Sequence, residues 1–200
     1  SLAWASGGLS LDASASRRLA DGHRDNFASR VGAAAFTLQW RGPGVKLAAR
    51  YGEDHLASGL PGALTAEQFR ADPTQAAALA DHGALVQRRS ALQAQVELPA
   101  GWTLLADGGW RQKDSHAVFG GFAADARVDA AQWSLRARHQ GQLAGLRHTL
   151  TAGFDDNRWQ RGASFNDGAQ VNRGLFAREE LVLGQGTRVG LGLRREWVTK

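Results

Sequence analysis

Strict alternation of apolar and polar residues is the feature that most narrows what this chain can fold into. Near its C-terminal end, Thr187–Arg194 reads Thr-Arg-Val-Gly-Leu-Gly-Leu-Arg, placing Val189, Leu191 and Leu193 on one side and Arg188, Gly190, Gly192 and Arg194 on the other. A helix would scatter those residues around its circumference, whereas a strand gathers them on one face. The pattern recurs at Val45–Gly52, Leu92–Leu98 and Leu146–Phe154. The chain is therefore expected to be all-β.

Connections between the runs are expected in two kinds that take turns. Short Gly-containing ones fall near Ser6–Gly8, Arg41–Gly44, Pro99–Gly101, Gln140–Gly145 and Gly184–Thr187. They have the chemistry of tight hairpin turns. Longer polar stretches fall near 20–27, 55–87, 113–127 and 157–172. Short turns at one end and long loops at the other are the habit of outer-membrane barrels, with the long loops extracellular. Strand-like segments such as 28–40, 87–98, 102–113, 127–139, 146–157 and 187–199 exceed the 5–6 residues or so of an average soluble strand. They suit the tilted crossing of a bilayer. About nine complete strands plus an N-terminal remnant are expected, so about nine to ten in all. Within 55–87, Thr65-Ala66-Glu67-Gln68 is a capping box, and the alanine run at 76–80 favours helix, so two short helices are expected at 65–71 and 73–81.

Aromatic placement agrees with a membrane barrel. Trp40 precedes one short turn and Trp102 follows another, while Trp110, Trp159 and Trp197 lie near the opposite strand ends. Indole rings favour the headgroup level on both sides of a bilayer. No window approaches the roughly 18 apolar residues of a membrane-crossing helix, which leaves strands as the means of crossing. On this reading Arg188, Arg194, Glu97, Gln93, Gln95, Lys46, Arg50, Arg147 and Thr149 face inward, lining a polar lumen whose arginines favour anionic solutes.

The chemistry of other classes is missing. Cys is absent, which excludes disulfide scaffolds, zinc fingers and thiol catalysis. A net charge of +5 raises nucleic acid as a partner, but Arg17–Arg18, Arg88–Arg89 and Arg194–Arg195 are scattered pairs without a recognition motif, so none is expected. The pairs Asp155-Asp156 and Glu179-Glu180 are split across a strand's two faces and make no catalytic dyad. Asp114-Ser115-His116 are merely sequential, and Gly120-Gly121 lack the strand-then-helix context of a phosphate loop. No catalytic residue, metal ligand or cofactor is assigned, and the chain is read as a non-enzyme. His148 belongs to an alternating strand. His23, His55 and His116 fall in expected loops and, with Arg24, Arg88 and Arg89, are the candidate ligand-binding residues.

Three motifs carry a family resemblance. Asp21-Gly22-His23-Arg24-Asp25-Asn26 resembles the DGYRDN-type loop of TonB-dependent outer-membrane receptors, with His where that pattern has Tyr. Leu60-Pro61-Gly62-Ala63-Leu64-Thr65, followed by Gln68-Phe69-Arg70-Ala71-Asp72-Pro73, is similar to the family's LPG-L-T-QxRxDP loop. Phe176–Glu180 and Gly190–Glu196 look like its YxQEE…GLRxE strand pair. The resemblance implies an antiparallel up-and-down transmembrane β-barrel of about 22 strands, of which this chain is a partial domain spanning 1–200. It implies import of an iron chelate or similar scarce solute, siderophore or ferric-citrate-like, driven by the TonB complex through a plug. No TonB box, plug, signal peptide or terminal aromatic strand signal is read here, so the chain is expected to be a piece of something larger. The expected partners are the outer-membrane bilayer, the chelate and the TonB complex. A passive porin-like channel is the alternative, and a soluble β-rich binding module is a third reading that detergent-free extraction would reveal.

Overall fold

The computed structural model describes residues 1–184 and 186–200. Ten strands follow in order: β1 (Leu2–Ser6), β2 (Leu9–Ala20), β3 (Ser29–Gly42), β4 (Val45–Gly59), β5 (His82–Glu97), β6 (Trp102–Phe119), β7 (Phe122–Leu143), β8 (Leu146–Ala163), β9 (Gly168–Leu183) and β10 (Thr187–Thr199). They form one open antiparallel sheet in which each strand pairs with its neighbours in sequence, with β1 and β10 at the edges. A single helix, α1 (Ala66–Ala71), lies between β4 and β5. The up-and-down partial barrel expected from the alternation is what forms.

Register carries the alternation from strand to strand, because directly opposed residues share a face. Leu47, Ala94, Ala106, Leu135, Phe154 and Leu175 stand in one row across β4–β9. One step along, Gln93, Asp107, Ser134, Asp155 and Glu196 lie in a row on the opposite face. Every residue expected to face inward, from Lys46 to Arg194, falls on this second, polar face.

The sheet is a single layer. Among the described residues no hydrophobic side chain is buried. The Val189, Leu191 and Leu193 stripe is 50%, 74% and 77% exposed, against neither a second sheet nor a covering helix. Water-soluble monomers rarely leave more than a few hundred Å² of contiguous apolar surface bare. This face needs an apolar medium or partner.

Two expected loops are strand instead. Residues 113–127 form the upper parts of β6 and β7, joined by the two-residue turn Gly120-Gly121, both with positive φ (56° and 83°), as in a type I′ hairpin. Residues 157–172 belong mostly to β8 and β9, leaving 164–167 as connection. Polarity in these segments does not signal coil. The 22 residues of β7 reach roughly 70 Å at about 3.3 Å each, far beyond the 9–11 or so needed to cross a bilayer. Their outer halves are polar because they overshoot the apolar band. Genuine excursions remain at 21–28 and 60–81, close to the expected 20–27 and narrower than 55–87. The Gly184–Thr187 turn includes Gln185, which lies outside the described residues.

Only one of the two expected helices exists. The capping box forms in full: Gln68 N–H donates to Thr65 Oγ1 (3.2 Å) and Thr65 N–H to Gln68 Oε1 (2.9 Å). The alanine-rich 73–81 stretch is irregular, because its backbone bonds elsewhere. Thr74 N–H donates to the Asp72 carboxylate (2.8 Å), and the N–H groups of Ala77 and Ala78 both donate to the Pro61 carbonyl (2.8 and 3.1 Å). Tertiary bonding overrides intrinsic propensity here.

Candidate ligand-binding site

The polar face holds a surplus of cations. Arg89 pairs with Asp54, Lys46 with Glu97, Arg136 with Asp107, and Arg194 with Asp155 and Glu196. Glu180 sits between Arg178 and Arg188. Arg50, Arg111, Lys113, Arg138, Arg147 and Arg161 share that face and have no carboxylate partner among the described residues. Arg111, Lys113 and Arg161 cluster toward the end bearing the long excursions, beside Trp159 and the amides of Gln87, Gln132 and Gln170. Trp159 therefore faces the polar side and belongs to no lipid-level girdle, unlike Trp40, Trp102, Trp110 and Trp197. Trp133 was not singled out by sequence; it joins the apolar face opposite Asp156, its ring 5.0 Å from that of Phe154.

The six candidate residues are not brought together. Arg89 alone faces the cationic wall. Arg88 lies on the other face, 3.4 Å from Glu53 and 3.9 Å from Asp114. His55 and His116 share that opposite face above the apolar band, bonded to Glu53 (2.6 Å) and Asp125 (2.7 Å). They are strand residues rather than loop residues, and the β-period turns them away from the wall. The carboxylate pairs are split as expected: Asp155 bonds Arg194 on the polar face, while Asp156, 1% exposed, bonds Arg158 (2.6 Å) and Arg173 (3.0 Å) on the other. His148 lies on the apolar face, bonded to Glu179 at 2.8 Å.

His23 and Arg24 sit in the 21–28 loop, with His23 edge-on to Phe27 at 5.3 Å. Arg24 donates to the carbonyls of Gln75 (3.1 Å) and Pro61 (3.4 Å). Asn26 donates to the carbonyls of Leu60, Ala78 and Asp81 at 3.4, 2.8 and 2.7 Å. Asp81 in turn accepts from Gly120 N–H at 3.0 and 2.9 Å. The DGHRDN and LPG motifs thus form one latch fixing the long excursion over the sheet end, and Arg24 is spent on carbonyls within it.

That latch has a pH limit. Hydrogen bonds from the Thr74 hydroxyl, and then from its backbone N–H, hold the Asp72 carboxyl below its ordinary value. A depressed folded value stabilises above the unfolded pKa, and the benefit is lost as pH falls through the folded one. Local order around Thr74 is therefore expected to weaken below about pH 4. Amide exchange at Thr74 checks this, and Asp72→Asn should flatten the dependence.

No family model matches the chain. A 63-residue stretch is 39% identical to human lysyl oxidase homolog 3, but covers 30% of this chain and 8% of that protein, too little to show a family. Solved structures agree over nearly the whole chain. The ferric citrate transporter FecA in its unliganded form matches with a TM-score of 0.79 at 11% identity, over 97% of this chain and 33% of that one. The ferric-catecholate import receptor Fiu from E. coli K12 gives 0.76 at 11% identity, over 98% and 41%. The siderophore receptor PirA from Pseudomonas aeruginosa gives 0.72 at 14%, over 98% and 32%. The chain spans about a third of the length of the first two structures in descending order of size of match, and 41% of Fiu. All three are named as transporters or receptors, and none as an enzyme. The chain has the fold of part of the β-barrel wall of TonB-dependent siderophore and ferric-citrate receptors.

Proposed function

We propose that this chain is part of the barrel of an outer-membrane receptor that binds an anionic, iron-bearing chelate and imports it with TonB-supplied energy. One observation carries the reading. A single-layer sheet bares a continuous apolar face and puts an excess of unpaired cations on the reverse. Lipid covers the first face, and the second lines an enclosed path closed by further strands, since open edges in hydrocarbon leave backbone groups unsatisfied. A cationic wall of low-dielectric surroundings focuses potential toward anions. Arg138 adds support: its buried Nε has no hydrogen-bond partner, and it stands opposite Thr103 and Thr151 on the luminal face. A buried unmet donor is costly, and a plug surface packed in the lumen would supply its acceptor. The protein is a binder and mover of solute, without catalysis.

Binding is assigned to Arg111, Lys113 and Arg161, with Arg89 beside them. Replacing the first three by Gln in the intact receptor is expected to weaken binding of ferric citrate, used as an anionic probe, by roughly 100-fold. Equilibrium binding in detergent reads this. Unchanged affinity removes these residues from the site. A cation-lined wall also suits a passive anion channel, and collapsing the proton gradient separates the two: uptake stops in a TonB-driven receptor and continues through a channel.

A further inference from the structure

The apolar face is not uniform, and its unevenness points to a specific lipid. Two depressions lie one above the other on it and share Trp110. The first, about 530 Å³, runs over Ala94, Ala106 and Gly108 between Trp40, Leu47 and Leu92. Small residues standing in register across β5 and β6 make it a furrow rather than a bulge. The second, about 580 Å³, begins one residue pair higher, where Ser90 opposes Trp110, and is bordered by Tyr51, Gln112, Arg88 and Arg158. Hydrocarbon gives way to polar chemistry within that step.

The charges at the upper depression are nearly balanced. Arg88 stands between Glu53 and Asp114, Arg127 between Asp114 and Asp129. A simple acidic headgroup gains little from such a belt, because it meets carboxylates as often as guanidiniums. A sugar gains from both: its hydroxyls donate to the carboxylates and accept from Arg, Gln112 and Gln160, and its ring packs on Trp110 or Tyr51. One corner keeps a positive surplus. Asp156 is shared by Arg158 and Arg173, so two guanidiniums face one carboxylate. That corner takes phosphate, for which planar guanidinium forks are suited.

We infer that this outer wall binds a phosphorylated glycolipid, with an acyl chain in the Ala94–Ala106–Gly108 furrow, its sugar over Trp110 and a phosphate at Arg158. The inference rests on the reading of the apolar face as lipid-facing, and it goes beyond the luminal solute site, which lies on the reverse of the sheet.

The test is lipid retention by the detergent-purified protein, followed by native mass spectrometry with diphosphoryl lipid A as probe and phosphatidylglycerol as the sugar-free anionic control. Lipid A is expected to be retained and phosphatidylglycerol to wash off. Arg158→Gln is expected to weaken retention by roughly tenfold or more. Ala94→Phe, which fills the furrow without touching the charged belt, should do the same while the folded form, seen as a heat-modifiable gel band, persists. Equal retention of phosphatidylglycerol overturns the glycolipid assignment. Unchanged lipid A retention in both folded variants overturns the site. A protein that stays in solution without detergent overturns the membrane reading itself, whereas one that needs detergent yet retains no lipid A loses only this inference.

Discussion

Leu135→Arg is expected to abolish stable insertion of this segment, while Gln132→Arg, on the other face of the same strand, is tolerated. Leu135 is 52% exposed and lies within the apolar row, opposed by Ala106 on one side and Phe154 on the other. Trp133 and Ala137 flank it along β7 on the same face. It therefore sits within hydrocarbon if that face meets lipid. An arginine near the bilayer midplane of a barrel costs about 2–4 kcal/mol, and near the interface about 0–1 kcal/mol. Tyr51→Arg, at the upper border beside Glu53, supplies the shallow arm of the comparison. Folding into lipid vesicles, read as the fraction of heat-modifiable protein, should fall for Leu135→Arg by a factor of roughly 30 or more in the folding equilibrium. It should barely change for the other two. Equal tolerance of all three would mean that the apolar face meets something other than hydrocarbon.

The faces of the sheet were legible from sequence because the β-period is 2, so one correctly read run such as Val189–Leu193 fixes the orientation of its strand. The open ten-stranded arrangement followed from counting such runs between turns. Strand ends were not legible by the same means. Polar residues at 113–119 and 122–127 meet their partners across β6 and β7, as Asp114 with Arg127 and His116 with Asp125 do, and paired charges look like loop when only polarity is read. A signal against that reading existed in Gly120-Gly121 between Phe119 and Phe122, since a Gly-Gly pair between strand-forming residues suits a type I′ hairpin. Shortening those loops moved His55 and His116 onto strands and turned them to the outer face. The luminal cations Arg111, Lys113 and Arg161 were hidden for the converse reason: two of them lay in stretches taken as coil, where parity has no meaning. Arg24 was chosen as a charged residue in a motif, yet its guanidinium meets two carbonyls that lie 37 and 51 residues away in sequence, a contact no local pattern announces.

Asn26→Gly is expected to release the 60–81 excursion without unfolding the sheet. The Asn26 amide reaches three carbonyls from that excursion, at Leu60, Ala78 and Asp81, and a fourth tie runs from Asp25 N–H to the Thr74 carbonyl at 2.7 Å. Asn26 adopts a left-handed φ of 51°, a conformation that Asn accepts more readily than other residues bearing a side chain. Glycine keeps that backbone and deletes only the amide, so the variant isolates the hydrogen bonds. Leaving half-buried carbonyls unmatched costs about 1–3 kcal/mol, which converts to roughly 5- to 150-fold in the equilibrium between docked and released excursion. Limited proteolysis under conditions where opening is fast tracks that equilibrium, and cleavage within 60–81 should accelerate by a comparable factor. Asn26→Asp should act at least as strongly, because a carboxylate in the same place faces three carbonyl oxygens with no donor to offer. The strands need not respond: β3 and β4 are joined by their own ladder from Ser29–Ser58 to Gly42–Val45, which the substitution does not touch. If Asn26→Gly cleaves no faster than the parent, the loop motifs that most resemble the receptor family do not act as a latch, and Arg24 becomes free again to be considered for the ligand.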